Sequence, residues 1–122
     1  MTTANHQTYV YVGLGGEGDN LAQGGMMRMN GGDWQSIANG LPDNPQVRAL
    51  AIRPDDPKII YAGTHQGVYR SDDRGDHWEA LEEPGPGKDV WSLTIHPDNP
   101  DVIFAGYEPC SISRSQDGGA TW

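Results

Sequence analysis

An internal repeat constrains the fold of this chain more than any other feature of its sequence. VRALAIRPDDPKIIYAG (47–63) aligns without gaps on VWSLTIHPDNPDVIFAG (90–106), at an offset of 43 residues. The segment VYRSDDRGDHW (68–78) then aligns on ISRSQDGGATW (112–122) at an offset of 44. Such self-similarity is typical of proteins in which copies of one supersecondary unit stack side by side, so the sequence predicts a repeat protein.

The local pattern decides which kind of repeat this is. A period of 43 to 44 residues suits both helical HEAT-type arrays and four-stranded β-propeller blades. In the second copy, short runs rich in apolar and β-branched residues lie at 47–52, 59–62, 68–70 and 78–81. Pro, Gly and Asp separate these runs, and no window keeps a 3.6-residue period over the length of a helix. The pattern therefore predicts an all-β chain of four-stranded antiparallel blades, whose strands we name A to D in chain order.

The phase of the repeat predicts how the blades divide the chain. A weaker copy lies upstream, with YVYVG and RMNGGDWQSI in place of IIYAG and RSDDRGDHWEAL. Strands B to D of a first blade are therefore expected over 9–38, after an N-terminal tail of residues 1–8. A complete blade is expected over 47–81, and strands A to C with the start of D over 90–122. The sequence thus predicts a partial β-propeller of about 2.8 blades.

Such a partial propeller cannot close into a ring. It leaves unpaired strand edges and apolar blade faces at both ends. We expect the chain to be a fragment that needs further propeller blades, or to self-associate with other copies so that the ring closes. Its stop at Trp122, inside strand D, favours truncation.

The turn between strands C and D carries the motif S-x-D-x-G-x-x-W in both well-matched copies. Its residues are Ser71, Asp73, Gly75 and Trp78 in one copy and Ser115, Asp117, Gly119 and Trp122 in the other. An Asp side chain can accept from backbone N–H groups two residues on, a Ser hydroxyl can add a second bond to the backbone, and Gly permits positive φ. We therefore expect the motif to hold a hairpin together, with the Trp covering its base.

This motif resembles the Asp-box of BNR-repeat β-propellers, part of a superfamily of WD40/YVTN/BNR-like repeat proteins. The copy SQDGGATW is the closer match, because SDDRGDHW has a histidine before its tryptophan. The superfamily includes sialidases, xyloglucanase-type glycosidases, sortilin-type receptors and the photosystem II assembly factor. The resemblance implies a propeller fold with Asp-box hairpins, and it leaves the function open because one fold hosts many functions.

Three other motifs in the sequence suggest chemistry. Arg74-Gly75-Asp76 matches an adhesion tripeptide, but the aligned Gly118-Gly119-Ala120 keeps only the glycine, so we expect a solvated turn in which Asp76→Ala leaves stability almost unchanged. The acidic and histidine residues around it lack the spacing of a calcium loop. Gly13–Gly18 matches G-x-G-x-x-G, but no helical pattern follows to hold a pyrophosphate. We therefore expect no metal, no nucleotide and no other cofactor.

Charge and cysteine content exclude further classes of function. The chain has 8 Lys and Arg residues against 17 Asp and Glu, a net charge of −9, which opposes binding to nucleic acids and to anionic membranes. Cys110 is the only cysteine, so no intrachain disulfide can form. The start of the sequence lacks the pattern of a signal peptide, and no apolar stretch approaches the ~20 residues that cross a bilayer. We expect a soluble protein, and its compartment stays open.

Loops that differ between the copies point to one end of the blades. Antiparallel order puts the B–C and D–A loops at that end and the Asp-box turns at the other. Variable loops on a rigid scaffold carry binding more often than the scaffold does. The candidate ligand rim consists of polar and aromatic residues at the loop end: Glu17, Asp19, Arg48, His65, Trp91 and Glu108. We expect it to take a protein or carbohydrate ligand.

Two classes of function remain, and no residue is assigned a catalytic role. A sialidase-like site needs several converging arginines and a tyrosine paired with a glutamate, and the sequence offers no evident pair of that kind. A xyloglucanase-like site needs two carboxylates about 5–9 Å apart, which could lie partly on blades absent from this sequence. We therefore favour a non-enzymatic propeller scaffold that binds a ligand, with a glycoside hydrolase as the alternative.

Overall fold

The computed structural model describes residues 8–16, 24–82 and 88–122. All the regular secondary structure in these ranges is β, which confirms the predicted class. The strands are β1 (Tyr9–Leu14), β2 (Gly25–Asn30), β3 (Trp34–Ser36), β4 (Val47–Ile52), β5 (Ile60–Thr64), β6 (Gly67–Ser71), β7 (Glu79–Ala80), β8 (Asp89–Ile95), β9 (Ile103–Glu108) and β10 (Ser111–Ser115). Among the described residues, no helix is long and apolar enough to span a bilayer.

The strands form three antiparallel sheets, which we call the first, second and third blades. Their strand orders are β1-β2-β3, β4-β5-β6-β7 and β8-β9-β10, so every strand pairs with its neighbour in the sequence. The short Pro-, Asp- and Gly-containing links allow only such adjacent pairing. In the described ranges the second blade has four strands and the other two have three each.

Two apolar clusters join the blades face to face. The cluster between the first two blades contains Met26, Ile37, Val47, Ile60, Ala62 and Trp78. The cluster between the second and third blades contains Tyr61, Val68, Val90, Ile103, Ala105 and Tyr107. Successive residues of β5 point into opposite clusters, and all five are buried because a blade covers each face of this strand.

Hydrogen bonds show which turns share an end of the blades. Arg74 N donates to Lys58 O (3.0 Å), and Gly118 N donates to Asp101 O (2.9 Å). Each bond joins the turn after a blade's third strand to the turn after its first strand. We call this the turn end, and the opposite end, which carries the other loops, the loop end.

Candidate functional site

Four of the six residues predicted to form the ligand rim lie at the loop end. Arg48 and Trp91 lie near the starts of β4 and β8, His65 lies in the turn between β5 and β6, and Glu108 ends β9. Glu17 and Asp19, the other two, lie outside the described residues. The rim is therefore described from its second- and third-blade members.

Arg48 and Trp91 occupy the same position in two successive repeats, and both sit on a β-bulge. The pairing of β4 with β5 shifts between Val47 and Ala49, and the pairing of β8 with β9 shifts between Val90 and Ser92. A bulge leaves one residue out of the ladder and can turn its side chain in a new direction. The side chains of Arg48 and Trp91 can therefore point away from the space between blades, where the regular alternation of a strand would direct them.

The two bulge residues stack on each other. The Arg48 guanidinium carbon lies 4.7 Å from the centroid of the Trp91 ring. A contact of this kind contributes about 0.5–1 kcal/mol at an exposed site. Trp91 nevertheless remains 47% exposed, so the stack presents a broad aromatic surface at the loop end.

Arg48 also reaches the first blade. Its Nη2 donates to Gly16 O (3.2 Å), while its Nη1 is buried and has no hydrogen-bond partner among the described atoms. A cavity of about 230 Å³ lies beside it, lined by Gly13, Val47, Arg48, Ala49 and Leu50. One guanidinium therefore links all three blades at the loop end.

His65 joins the turn between β5 and β6 to the connector before β4 through hydrogen bonds. Gln46 N donates to His65 Nδ1 (3.1 Å), and His65 N donates to Gln46 O (3.2 Å). In the neutral ring this leaves the proton on Nε2. The buried Gln46 side chain accepts from Gly16 N and donates to Asn44 O (3.1 Å). The sequence did not single out Gln46, because a lone glutamine in a connector gives no signal of burial.

Glu108 faces a second carboxylate across the sheet. Asp89 and Glu108 are direct partners in the register of β8 and β9. Residues opposed in this way have Cα atoms about 4.5–5.5 Å apart. The sequence analysis missed Asp89, which aligns with Gln46 of the preceding repeat. Each of the two residues comes one position before the first valine of its strand A. The loop end of the third blade thus combines two acidic groups with Trp91.

At the turn end, the serine and aspartate of the repeated motif bind the hairpin backbone. Ser71 Oγ accepts from Asp73 N (3.3 Å) and Gly75 N (2.8 Å), and it donates to Asp73 Oδ1 (2.8 Å). Asp73 Oδ1 then accepts from His77 N (2.9 Å), four residues on instead of the two expected. Ser71 and Asp73 thus each accept from an N–H group four residues on, and together their side chains span the turn.

The second copy repeats this network with one change of partner. Ser115 and Asp117 make the same backbone bonds, to Gly119 N (2.8 Å) and Thr121 N (2.9 Å). The second carboxylate oxygen accepts from the Thr121 hydroxyl here, and lies 2.7 Å from His77 Nδ1 in the first copy. His77 thus replaces a threonine in a structural role.

These bonds shift the acidities of the groups that make them. The Thr121 hydroxyl, its backbone N–H and Ser115 lower the pKa of Asp117 to about 2. Burial alone would raise the pKa of Asp73, but the bonds from His77 and Ser71 together outweigh it, so that pKa lies below its ordinary value. In turn, the hydrogen bond and charge of Asp73 raise the pKa of His77. The pair therefore favours the ionised forms of both partners.

The Arg74-Gly75-Asp76 tripeptide contacts the preceding blade. Asp76 forms an ion pair with Arg28 (2.9 Å), which also donates to Arg74 O (2.8 Å), and the Arg74 guanidinium lies 4.9 Å from the Tyr9 ring. A Cβ on Gly75, whose φ is +92°, would lie 2.5 Å from the Cδ1 of Ile37. The sequence analysis expected a solvated turn here, and the Asp76 side chain is indeed 53% exposed, but its ion pair with Arg28 was not expected, because sequence alone did not bring Arg28 beside it.

In the described part of the chain, no group of three or more His, Cys, Asp and Glu residues is placed to hold a metal ion. The acidic residues near His77 are instead used in the turn and in the contact with the first blade.

Comparisons with known proteins extend the fold assignment. The chain is similar to the GH74 xyloglucanase from Xanthomonas campestris, with a TM-score of 0.71 and 21% identity, over 92% of this chain and 20% of that one. It is also similar to an ancestral GH74 enzyme (0.67, 18% identity, 80% and 15% covered) and to a GH74 enzyme from Niastella koreensis (0.62, 16%, 80% and 18%). The chain has the fold of a partial β-propeller. At these identities the likeness shows the fold alone, and it spans at most about a fifth of each of those three chains.

No protein-family model matches the sequence, and a search of curated proteins gives no match either.

Proposed function

We propose that this chain is part of a β-propeller whose loop end binds a carbohydrate without hydrolysing it. The stacked pair of Arg48 and Trp91 carries the proposal, because it offers an exposed aromatic surface at the end where the blades present their loops. Small-molecule sites combine such apolar surfaces with a few oriented polar groups. His65 Nε2 and the Glu108 carboxylate are polar groups at the same end that could bind sugar hydroxyls.

The likeness to GH74 enzymes, one of them a xyloglucanase, makes xyloglucan the first ligand to test. Binding of xyloglucan oligosaccharides would be measured by calorimetric titration of the native chain and of Trp91→Ala. Loss of a stacking surface is expected to weaken binding by about tenfold or more, equivalent to about 1.4 kcal/mol.

Trp34→Ala is the matched control. Trp34 is 45% exposed, close to the value for Trp91, but it starts β3 at the turn end. Its replacement should leave the affinity within about twofold of the native value, as is usual for surface substitutions away from a site. Equal losses in the two variants, or no loss in Trp91→Ala, would exclude the rim as the binding site.

A glycoside hydrolase is the second candidate, and the opposed carboxylates of Asp89 and Glu108 favour it. Glycoside hydrolysis commonly uses two carboxylates on either side of the bond, one as acid and one as base or nucleophile. Release of reducing sugar from xyloglucan would be followed for the native chain, Asp89→Asn and Glu108→Gln. Turnover that both substitutions abolish would replace the binding-only proposal, whereas binding without turnover would support it.

A further inference from the structure

A polar cavity lies at the turn end, where the first two blades meet. Its volume is about 390 Å³, which is within the range of small-molecule sites. Strands β1 and β2 line one side, and the turns after β4 and β6 of the second blade line the other. The charged residues of the lining are three cations and three carboxylates: Arg28, Lys58, Arg74, Asp72, Asp73 and Asp76.

Each carboxylate of this lining already has a basic partner. The pairs are Asp76 with Arg28 (2.9 Å), Asp72 with Arg70 (3.3 Å) and Asp73 with His77 (2.7 Å). In contrast, neither the ammonium group of Lys58 nor the guanidinium of Arg74 pairs with a carboxylate among the described residues. Residues 1–7, which precede Tyr9 in the sequence, contain no Asp or Glu. Two cations at this cavity are therefore uncompensated.

The surroundings of the cavity are thus positive in a chain whose net charge is −9. Four Arg and Lys residues stand against three carboxylates there once Arg70 is counted with Asp72. Salt screens exposed charges that lie more than about 8 Å away at physiological ionic strength, so the nearby cations dominate the local potential. A small anion is therefore attracted to this cavity, whereas the net charge opposes binding of large polyanions.

The backbone of Arg74 supports a function for its side chain. Its φ is +60°, in the left-handed region that disfavours any residue with a Cβ, and the equivalent residue of the next repeat is Gly118, with φ +71°. Strained residues of this kind cluster at ligand-binding and active sites. The Arg74 guanidinium stacks on the Tyr9 ring, but its N–H groups point outward in its own plane. The stack therefore does not use these donors.

The contact between the second and third blades lacks both cations. Lys58 corresponds to Asp101, whose carboxylate pairs with Arg53 (3.0 Å), and Arg74 corresponds to Gly118. The repeat fold therefore does not require a positive cavity at the contact between two blades, and the two cations are particular to the first contact.

We propose that this cavity binds the phosphate group of a small polar molecule, with Lys58 and Arg74 as its cationic ligands. A phosphate group carries nearly two negative charges at neutral pH and has three strong acceptor oxygens. Asn30, which is exposed and lines the same cavity, supplies a neutral amide donor for the third oxygen. A carboxylate has only two oxygens and matches these three donors less well. The proposal concerns the turn end and does not depend on the carbohydrate site at the loop end.

The test is a titration of the 122-residue chain with inorganic phosphate at about pH 7.5, where phosphate is mostly dianionic, and at an ionic strength held constant with chloride. Backbone amide shifts in two-dimensional nuclear magnetic resonance spectra report the binding. We expect saturable shifts at residues 58 and 72–76, with half-saturation at about 1 mM.

Glucose 6-phosphate and glucose distinguish the possible sources of the phosphate group. Tighter binding of glucose 6-phosphate than of inorganic phosphate would identify a phosphate ester as the ligand, and equal or weaker binding would identify free phosphate. Glucose alone should shift none of these amides. If glucose gave the same saturable shifts, the cavity would recognise a neutral sugar and the proposal would be wrong.

Protein variants locate the site. Arg74→Gly introduces the residue of the other repeat, which suits the positive φ, and Lys58→Gln neutralises an exposed cation; each should weaken phosphate binding by about fivefold or more. Arg114→Gln is the matched control, because it removes the same charge from an exposed residue of β10, and it should change the affinity by less than about twofold. Circular dichroism checks the fold of each variant, and Lys58→Gln remains decisive if Arg74→Gly does not fold. Absence of saturable shifts with phosphate, or losses no larger than that of Arg114→Gln, would overturn the proposal.

Discussion

Trp78 joins the first two blades, and its replacement by alanine tests whether the repeated motif stabilises the contact between blades. The side chain is 4% exposed and packs with Met26, Ile37 and Val47, and its indole N–H donates to Ile37 O (2.7 Å). A tryptophan of roughly 200 Å² at about 25 cal/mol per Å² gives roughly 5 kcal/mol as an upper bound on the burial term. Large-to-small replacements of aromatic core residues cost about 3–5 kcal/mol, and we expect Trp78→Ala to fall in this range.

The measurement is urea unfolding followed by far-ultraviolet circular dichroism, because tryptophan fluorescence would change with the substitution itself. Trp78→Phe separates the two contributions: it keeps most of the packing but leaves the buried carbonyl of Ile37 without its indole donor, at a cost of about 1–3 kcal/mol. A fall in the m-value of Trp78→Ala would show that the first blade unfolds separately from the rest.

The other two copies of this tryptophan supply the controls. Trp34 is 45% exposed, and Trp34→Ala should cost less than about 1 kcal/mol. Trp122 is half-buried and its indole donates within its own turn, to Gly119 O (3.0 Å), so Trp122→Ala should fall between the other two. If Trp34→Ala destabilised the chain as much as Trp78→Ala, burial between blades would not be the source of the stability.

Three further predictions concern the turn. Because Asp73 raises the pKa of His77, their pair stabilises the fold fully below about pH 6.5 and loses that contribution as the pH rises through the higher native pKa. The urea midpoint of the native chain, measured relative to that of His77→Thr, should therefore fall as the pH rises above about 6.5, and a difference independent of pH would contradict the ion pair. Asp76→Ala should lower the free energy of unfolding by about 0.5–1 kcal/mol, because it removes the partly exposed pair with Arg28. In the same urea titration Asp73→Ala should cost more, about 1–3 kcal/mol, and the reverse order would contradict the role of Asp73 in the turn.

The sequence predicted the fold because the repeat supplies its own alignment. Matching the copies separated the residues that a four-stranded blade requires from those that vary, and the all-β class followed from the short runs between Pro, Gly and Asp. The bulges at Arg48 and Trp91 were beyond that reasoning, because a bulge depends on how two strands pair and leaves no mark in either strand alone. The stacking of these two residues depends on the bulges, so it could not be predicted either.

The sequence analysis also missed polar residues at or just before the start of a blade's first strand. Gln46 is buried because two loops and a histidine close over it, and Asp89 faces Glu108 because of the register of β8 with β9. The two residues share one repeat position, which holds glutamine in one copy and aspartate in the other. Alignment of the copies therefore cannot mark such residues: the packing of the loops identifies Gln46, and the strand register within the third blade identifies Asp89.

The variable residues of the turn motif depend on the contacts that the turn makes with the preceding blade. At the first contact between blades, Arg28 donates to the carbonyl of residue 74, and Asp76 supplies a carboxylate for the same arginine. At the second contact, the Tyr61 hydroxyl donates to the equivalent carbonyl, of Gly118 (2.8 Å), and the position equivalent to Asp76 holds an alanine.

The arginine of the second blade that corresponds to Arg28 is Arg70, which instead pairs with Asp72 of its own turn (3.3 Å). A carboxylate at the position of Asp76 therefore accompanies an arginine that reaches across from the preceding blade. The Arg-Gly-Asp tripeptide is explained by this pairing, and an external receptor would have to displace Arg28 and Tyr9 to engage its two charged side chains. Contact between blades thus accounts for the variable residues of this motif, as hairpin geometry accounts for the shared ones.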